Sequence, residues 1–340
     1  KVDPLELEFG LALLPLADPS QGGDLMDRIV MVRRQIASEL GVLIPFVRVR
    51  DNFAGIGPNT YSINLRGVEI GSGDVYPDRL MAMEGPGVTK PVTGIPGKEP
   101  AFGLDVVWIP KDGRDEAESH GYTVIESSAV IATHLTETLR KNAHMLLTRQ
   151  ETQKLIDLAK QEDQSCVDEA IPTLLSVGDV QKVLQNLVRE GVPIRDLVSI
   201  MEHLADAARV SKDVDYLTMR VREGLSRLIT KELGLDKGPF PVATLDPSFE
   251  REIIEATKKG DRGSYVALSA DRLSQMMRVI SEAMTEVGSK AKRPVLVSSA
   301  VSRSQVYEIA SRIVPDIAVV AYEELDDRAN VEAVRVVKID

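Results

Sequence analysis

Three hydrophobic periodicities follow one another along the chain, and no single core can accommodate all of them. Up to about Glu126, short apolar runs broken by Gly and Pro read as strands around one strong helix. From Ser128 to Leu233, apolar residues recur at three- and four-residue spacing. After the break "GLDKGPFPVATLDP", strands and helices alternate. Periods of 2 and 3.6 expose their apolar residues on differently shaped faces. A length of 340 residues also exceeds what one core holds. The expected fold class is therefore α+β and multidomain.

In the first segment "LELEFGLALLP" is strand-like. Leu25, Ile29, Val32, Ile36 and Leu40 mark a helix, with Asp24 as its start signal and Gly41 as its end. "VRVRDN" reads as a half-exposed strand, and "YSINLRGVEIGSG" as strand, turn and strand. A long Pro/Gly loop, "GPGVTKPVTGIPGKEPAFG", leads into the apolar "LDVVWI". Ser128 is placed to cap the next helix, and Thr148 with Glu151 forms a capping-box pattern after it. The helical stretch continues through "VGDVQKVLQNLVREG", a helix opened by Pro193, and "VDYLTMRVREGLSRLITKEL". The last third predicts a small α/β sandwich with βαβ character, in which "YVALS" is one strand.

Composition narrows the function classes. The 41 bases and 52 acids leave a net charge of −11, which argues against binding a polyanion such as nucleic acid. Aromatic residues are only 4%, so the cores must be aliphatic. The single cysteine, Cys166, excludes an internal disulfide and sits in a polar run without a histidine beside it. His120, His134, His144 and His203 form no metal-ligand spacing, so no metal or cofactor is expected. Gly71 and Gly73 lack the Lys and helix that a phosphate loop needs, and read as part of a tight hairpin turn. The stretch Ser298 to Ala310, after "PVLVSS", reads as a βαβ turn that could bind an anion. No run approaches the ~18–20 apolar residues that span a bilayer. No signal peptide is expected, and the abrupt strand pattern of "KVDPLELEFG" suits a piece of a longer protein.

Several longer stretches carry a family resemblance. These are "LEFG", "GGDLMDRIVMVRRQIASELG", "VRVRDN", "GVEIGSGDVYP", "EPAFGLDVVWI", "GYTVIESSAVIATHL" and "VLQNLVREGVPIRDL". In these the chain resembles, nearly end to end, the cytoplasmic part of the FHIPEP family of flagellar type III export gate proteins. The resemblance implies a polytopic membrane half outside this sequence and a linker ending near residues 1–3. It implies four subdomains: a mixed α/β first over 1–76 and 127–146, and a small α/β second inserted at 77–126. A helical third follows over 147–226, then a C-terminal α/β sandwich over 227–340. It further implies a nonameric ring at the cytoplasmic face of the bacterial inner membrane. That ring docks export chaperones carrying late substrates, contacts the export ATPase complex and its stalk, and performs no catalysis. A homologous gate of a virulence type III secretion system is an alternative, as is a soluble α/β enzyme that binds a phosphorylated ligand.

The family's chaperone site maps by its motifs onto Glu99, Phe102 and Thr133, with Met83 and Val130 as neighbours on the same surface. Gly10 matches a glycine tied to interdomain movement, and suits either positive φ or a close backbone approach. Two physical readings of Phe102 stand side by side. The ring either packs inward to close its loop, or is displayed by flanking Gly and Pro as an anchor for a visiting helix, with Glu99 orienting the visitor from the rim.

Overall fold

Leu5, Leu7 and Phe9 alternate with Glu6 and Glu8, and this period of two buries the apolar set on one face of β1 (Leu5–Phe9). The computed structural model describes residues 1–288 and 293–340. The chain divides into two compact units, Lys1–Glu151 and Thr152–Asp340, with a mixed α+β architecture.

In the first unit β1 is followed by α1 (Leu14–Ala17), α2 (Leu25–Leu40), β2 (Val47–Asp51), β3 (Thr60–Leu65) and β4 (Val68–Asp74). These strands form a sheet in the order β2-β1-β3-β4, in which only the β1–β2 pair is parallel. The stripe from Leu25 to Leu40 is buried as its spacing predicts, and Gly41 ends α2 at φ 77°. Asp24 precedes the helix without capping an amide; its carboxylate instead accepts from Arg28 Nε at 2.9 Å. The β3–β4 turn falls at Arg66 and Gly67, both at positive φ. Gly71 and Gly73 are therefore inside strand β4, which corrects their reading as turn residues.

The second sheet of this unit comprises β5 (Arg79–Met83), β6 (Ile95–Lys98), β7 (Asp105–Pro110) and β8 (Thr123–Glu126), in the order β6-β7-β5-β8. α3 (Arg114–Ser119) lies between β7 and β8 in sequence, and α4 (Ser127–Asn142) follows β8. Leu80, Ala82, Ile109, Ala117 and Tyr122 form the core of this sheet. The expected long Pro/Gly loop is interrupted: Ile95–Lys98 pairs with β7, and only residues 99–104 remain as a hairpin tip. Glu126 precedes α4, so Ser128 lies inside the first turn, buried, and is not its cap.

α5 (Arg149–Glu162) spans the division between the units, and the Thr148 hydroxyl accepts the Glu151 amide near its start. The second unit continues with α6 (Gln164–Ala170), α7 (Val177–Arg189), α8 (Leu197–Ala208), α9 (Val214–Gly224) and α10 (Ser226–Glu232). α8 opens at the Asp196 cap, beyond Pro193, and the expected single helix from Val214 is broken at Leu225. β9 (Phe240–Leu245), α11 (Pro247–Ala256), β10 (Thr257–Gly260), β11 (Gly263–Val266) and α12 (Ala270–Val287) follow. Then come β12 (Val295–Ser298), α13 (Arg303–Ala310), β13 (Ala318–Ala321) and β14 (Val331–Val337). The sheet β13-β12-β9-β14 is parallel throughout, and α11, α12 and α13 contribute to its aliphatic core. "YVALS" does not join it; its first residues pair with β10 in a separate two-stranded ribbon.

A buried ion cluster ties the helices of this unit to the parallel sheet. Arg222 of α9 grips Glu324 through two bonds of 2.8 and 2.9 Å. Arg303 of α13 grips Glu190, just after α7, at 2.5 and 2.9 Å. Both arginines also donate to the Val319 carbonyl of β13. Burial opposes ionisation of Glu190, but Arg303 and Arg222 hold its carboxyl below the ordinary range.

Candidate docking site

The hairpin tip at 99–104 is built by its own acid. Among the first residues past β6, the amides of Ala101 and Phe102 have no partner across the hairpin. The Glu99 side chain folds back to accept both, Ala101 N–H on Oε1 at 2.9 Å and Phe102 N–H on Oε2 at 2.6 Å. The Glu99 amide donates to the Leu104 carbonyl and the Gly103 amide to the Glu99 carbonyl, each at 2.8 Å. Gly103 takes φ 71°, a conformation that favours glycine and lets the tip close. Lys98 and Asp105 form an ion pair across the base of the tip.

This arrangement displays an apolar pair. Phe102 is 60% exposed and Leu104 49% exposed. The ring is not packed beneath its loop, which removes the inward reading. Glu99, by contrast, is 3% exposed, and both its oxygens are occupied by the loop's own amides. It cannot act from the rim as expected. Its place is underneath, as the clasp that shapes the tip. Leu104, beside Phe102, was not singled out by sequence reasoning, because it reads as the first residue of the "LDVVWI" strand.

The other expected residues divide by orientation. Met83 ends β5, half-buried, opposite Val106 and Thr123. Thr133 is exposed on α4, whereas Val130, one turn earlier, is 2% exposed and belongs to the interior. Val130 therefore does not line a surface: positions 130, 131, 134 and 135 form the buried side of the helix and 133 the wet side. Gly10 has φ −72°, so positive φ is not its reason. A Cβ there would stand 1.9 Å from the Gly57 carbonyl oxygen, and close approach is what requires glycine.

Beneath the tip, Pro100 meets strand β4 of the other sheet of the same unit. A Cβ at Gly73 would lie 2.8 Å from Pro100 Cβ and 2.8 Å from the Tyr61 hydroxyl. Tyr61 is wholly buried and its hydroxyl stands 2.6 Å from Nδ1 of His134, the neighbour of Thr133 on α4. Burial pushes the Tyr61 phenol far above its usual range, with the Glu99 carboxylate adding to the shift. Burial likewise holds the His134 imidazole low, partly offset by Glu99. The two groups share one buried hydrogen bond, whose direction follows the His134 tautomer.

The β12–α13 turn that could bind an anion already holds one, because Glu250 Oε1 accepts from the Ser299 amide at 2.7 Å and the Ser302 hydroxyl at 2.5 Å. Burial resists that charge, yet these bonds keep the Glu250 carboxyl below its ordinary range. Cys166 is buried, and burial pushes its thiol up, away from the reactive thiolate. No helix among the described residues is long and apolar enough to cross a membrane.

Comparison with known proteins agrees with the fold. The chain is 39% identical over 338 residues to the flagellar biosynthesis protein FlhA of Bacillus subtilis, covering 99% of this chain and 50% of that protein. Against FlhA of Escherichia coli it is 36% identical over 329 residues, 97% of this chain and 47% of that one. The chain thus spans about half the length of these relatives. Among solved structures, the Chlamydia pneumoniae CdsV and CdsO complex matches with TM-score 0.85 at 25% identity, over 99% of this chain and 98% of that one. The nonameric EPEC SctV-C matches in fold with TM-score 0.78 at 22% identity, over 99% and 98%. The FHIPEP family model covers residues 1–330, and the chain belongs to the FHIPEP family.

Proposed function

We propose that this chain is the cytoplasmic docking part of a flagellar protein export gate, and that it binds complexes of an export chaperone with its substrate. The observation that carries this reading is the Phe102 ring, 60% exposed on a tip whose backbone is fixed from below by Glu99. A pre-shaped loop loses little entropy when a partner covers it. Burying a Phe side chain contributes roughly 1.5–3 kcal/mol, enough to anchor a weak and exchangeable contact. Leu104 widens the apolar patch, and Thr133 and Met83 are proposed to belong to the same surface. Gly10 is proposed to lie where interdomain movement is centred.

The flagellar assignment over a virulence system is supported by 39% identity to an FlhA, against 25% to CdsV. The chain is further proposed to assemble as a nonameric ring, by likeness to the fold of the EPEC assembly. It is also proposed to meet an export ATPase complex through its stalk, as CdsV is found with CdsO. The four-subdomain division given above is retained as part of this proposal.

Phe102→Ala should weaken binding of a flagellar chaperone–substrate complex by about 2 kcal/mol, some thirtyfold, with an unchanged thermal transition. Isothermal titration of the folded variant measures it; unaltered affinity would remove the site.

A further inference from the structure

Gly71 and Gly73 of β4 are both filled by side chains from elsewhere in the first unit. The place of a Cβ on Gly73 is taken by Pro100 of the hairpin tip and by the Tyr61 hydroxyl, each 2.8 Å from it. The place of one on Gly71 is taken by His134 Nε2 at 3.1 Å and Thr138 Oγ1 at 3.3 Å. Glycines inside a strand weaken it and mark a close approach by something else. Here two such approaches are joined, since Tyr61 and His134 share a buried hydrogen bond and their rings meet edge-on at 5.6 Å. Pro100 immediately precedes the amides that Glu99 holds, and His134 immediately follows Thr133.

We infer that Gly73, Tyr61 and His134 are positioning residues of the docking site: they seat the Phe102 tip on β4 and register it to the exposed face of α4 that carries Thr133. The inference rests on the docking reading given above and adds to it a layer that touches no partner. The Gly73 seat fixes how far Pro100 sinks towards the sheet, and so where the ring stands. The Tyr61–His134 bond fixes the phenol that forms the floor of the seat. An added methyl at Gly73 meets a proline ring and a wholly buried phenol, neither of which is the free end of a flexible chain, so the tip must lift.

The test uses three variants of this chain: Gly73→Ala, Tyr61→Phe and Phe102→Ala. Amide hydrogen exchange at Ala101 and Phe102 is read without partner, and affinity is read with a flagellar export chaperone bound to its substrate. Gly73→Ala and Tyr61→Phe should speed exchange at those two amides roughly tenfold, leave the core amides of β1 protected, and weaken docking roughly tenfold although Phe102 is intact. Tyr61→Phe, which keeps the ring, serves if Gly73→Ala does not fold. Exchange that rises uniformly through the unit, or stays unchanged at the tip, overturns the inference. Exchange that rises at the tip while Phe102→Ala leaves docking unchanged upholds the positioning and overturns the docking reading instead.

Discussion

Gly10 illustrates how space, not torsion, can make one residue type necessary. Its backbone is extended and open to any residue, but carbonyl oxygens of Gly57 and Pro58 lie 1.9 and 2.6 Å from where a Cβ would stand. Gly10→Ala should therefore lower the urea midpoint by the equivalent of about 3 kcal/mol, because backbone cannot move aside cheaply. Gly22→Ala, at φ 78° with open space around it, should cost only about 1 kcal/mol. His134 gives a pH-dependent counterpart. Its folded-state affinity for a proton is depressed mainly by burial, so the unfolded chain binds that proton more readily. Its contribution is fully present above the ordinary imidazole value near ~6.5 and is lost as pH falls through the depressed folded value. Thermal melts from pH 7.5 to 5 should show that decline, and His134→Asn should flatten it. Which way each side chain points was the part least legible in the sequence. Glu99 was visible as an acid beside an aromatic ring. Its inward turn follows from two hairpin amides lacking partners, and only the paired backbone reveals them.

Elements were legible where their period was long and uninterrupted. The α2 stripe and its Gly41 end were readable, because five regularly spaced apolar residues leave little choice of face. Short elements were not. β6 contains Pro96 and Gly97 and could not be told from loop; its existence depends on pairing with β7. "YVALS" has the composition of a buried strand, yet its partner is the neighbouring β10. Local capping chemistry adds a testable quantity at this scale. Ser176 and Asp179 exchange bonds at the start of α7, Ser176 Oγ accepting the Asp179 amide at 3.1 Å and Asp179 accepting the Ser176 amide at 3.0 Å. Ser176→Ala should destabilise the second unit by about 1 kcal/mol, read by chemical denaturation monitored through helix circular dichroism.

At the scale of the whole molecule, the sequence disclosed the change of texture but not what fastens one texture to the next. Arg222 and Glu324 are 102 residues apart in sequence and share a buried, doubly hydrogen-bonded ion pair, and nothing in either neighbourhood marks the other. Breaking such a pair strands a charge out of water. Glu324→Gln should accordingly cost about 3–5 kcal/mol, with Arg222 and Arg303 both losing a carboxylate neighbour. The cluster has a mechanical corollary. Because groups on or beside α7, α9, α13 and β13 meet at the same few charges, those helices cannot part from the β13 edge of the sheet without stranding one. Under load, the helices and that edge should give way together.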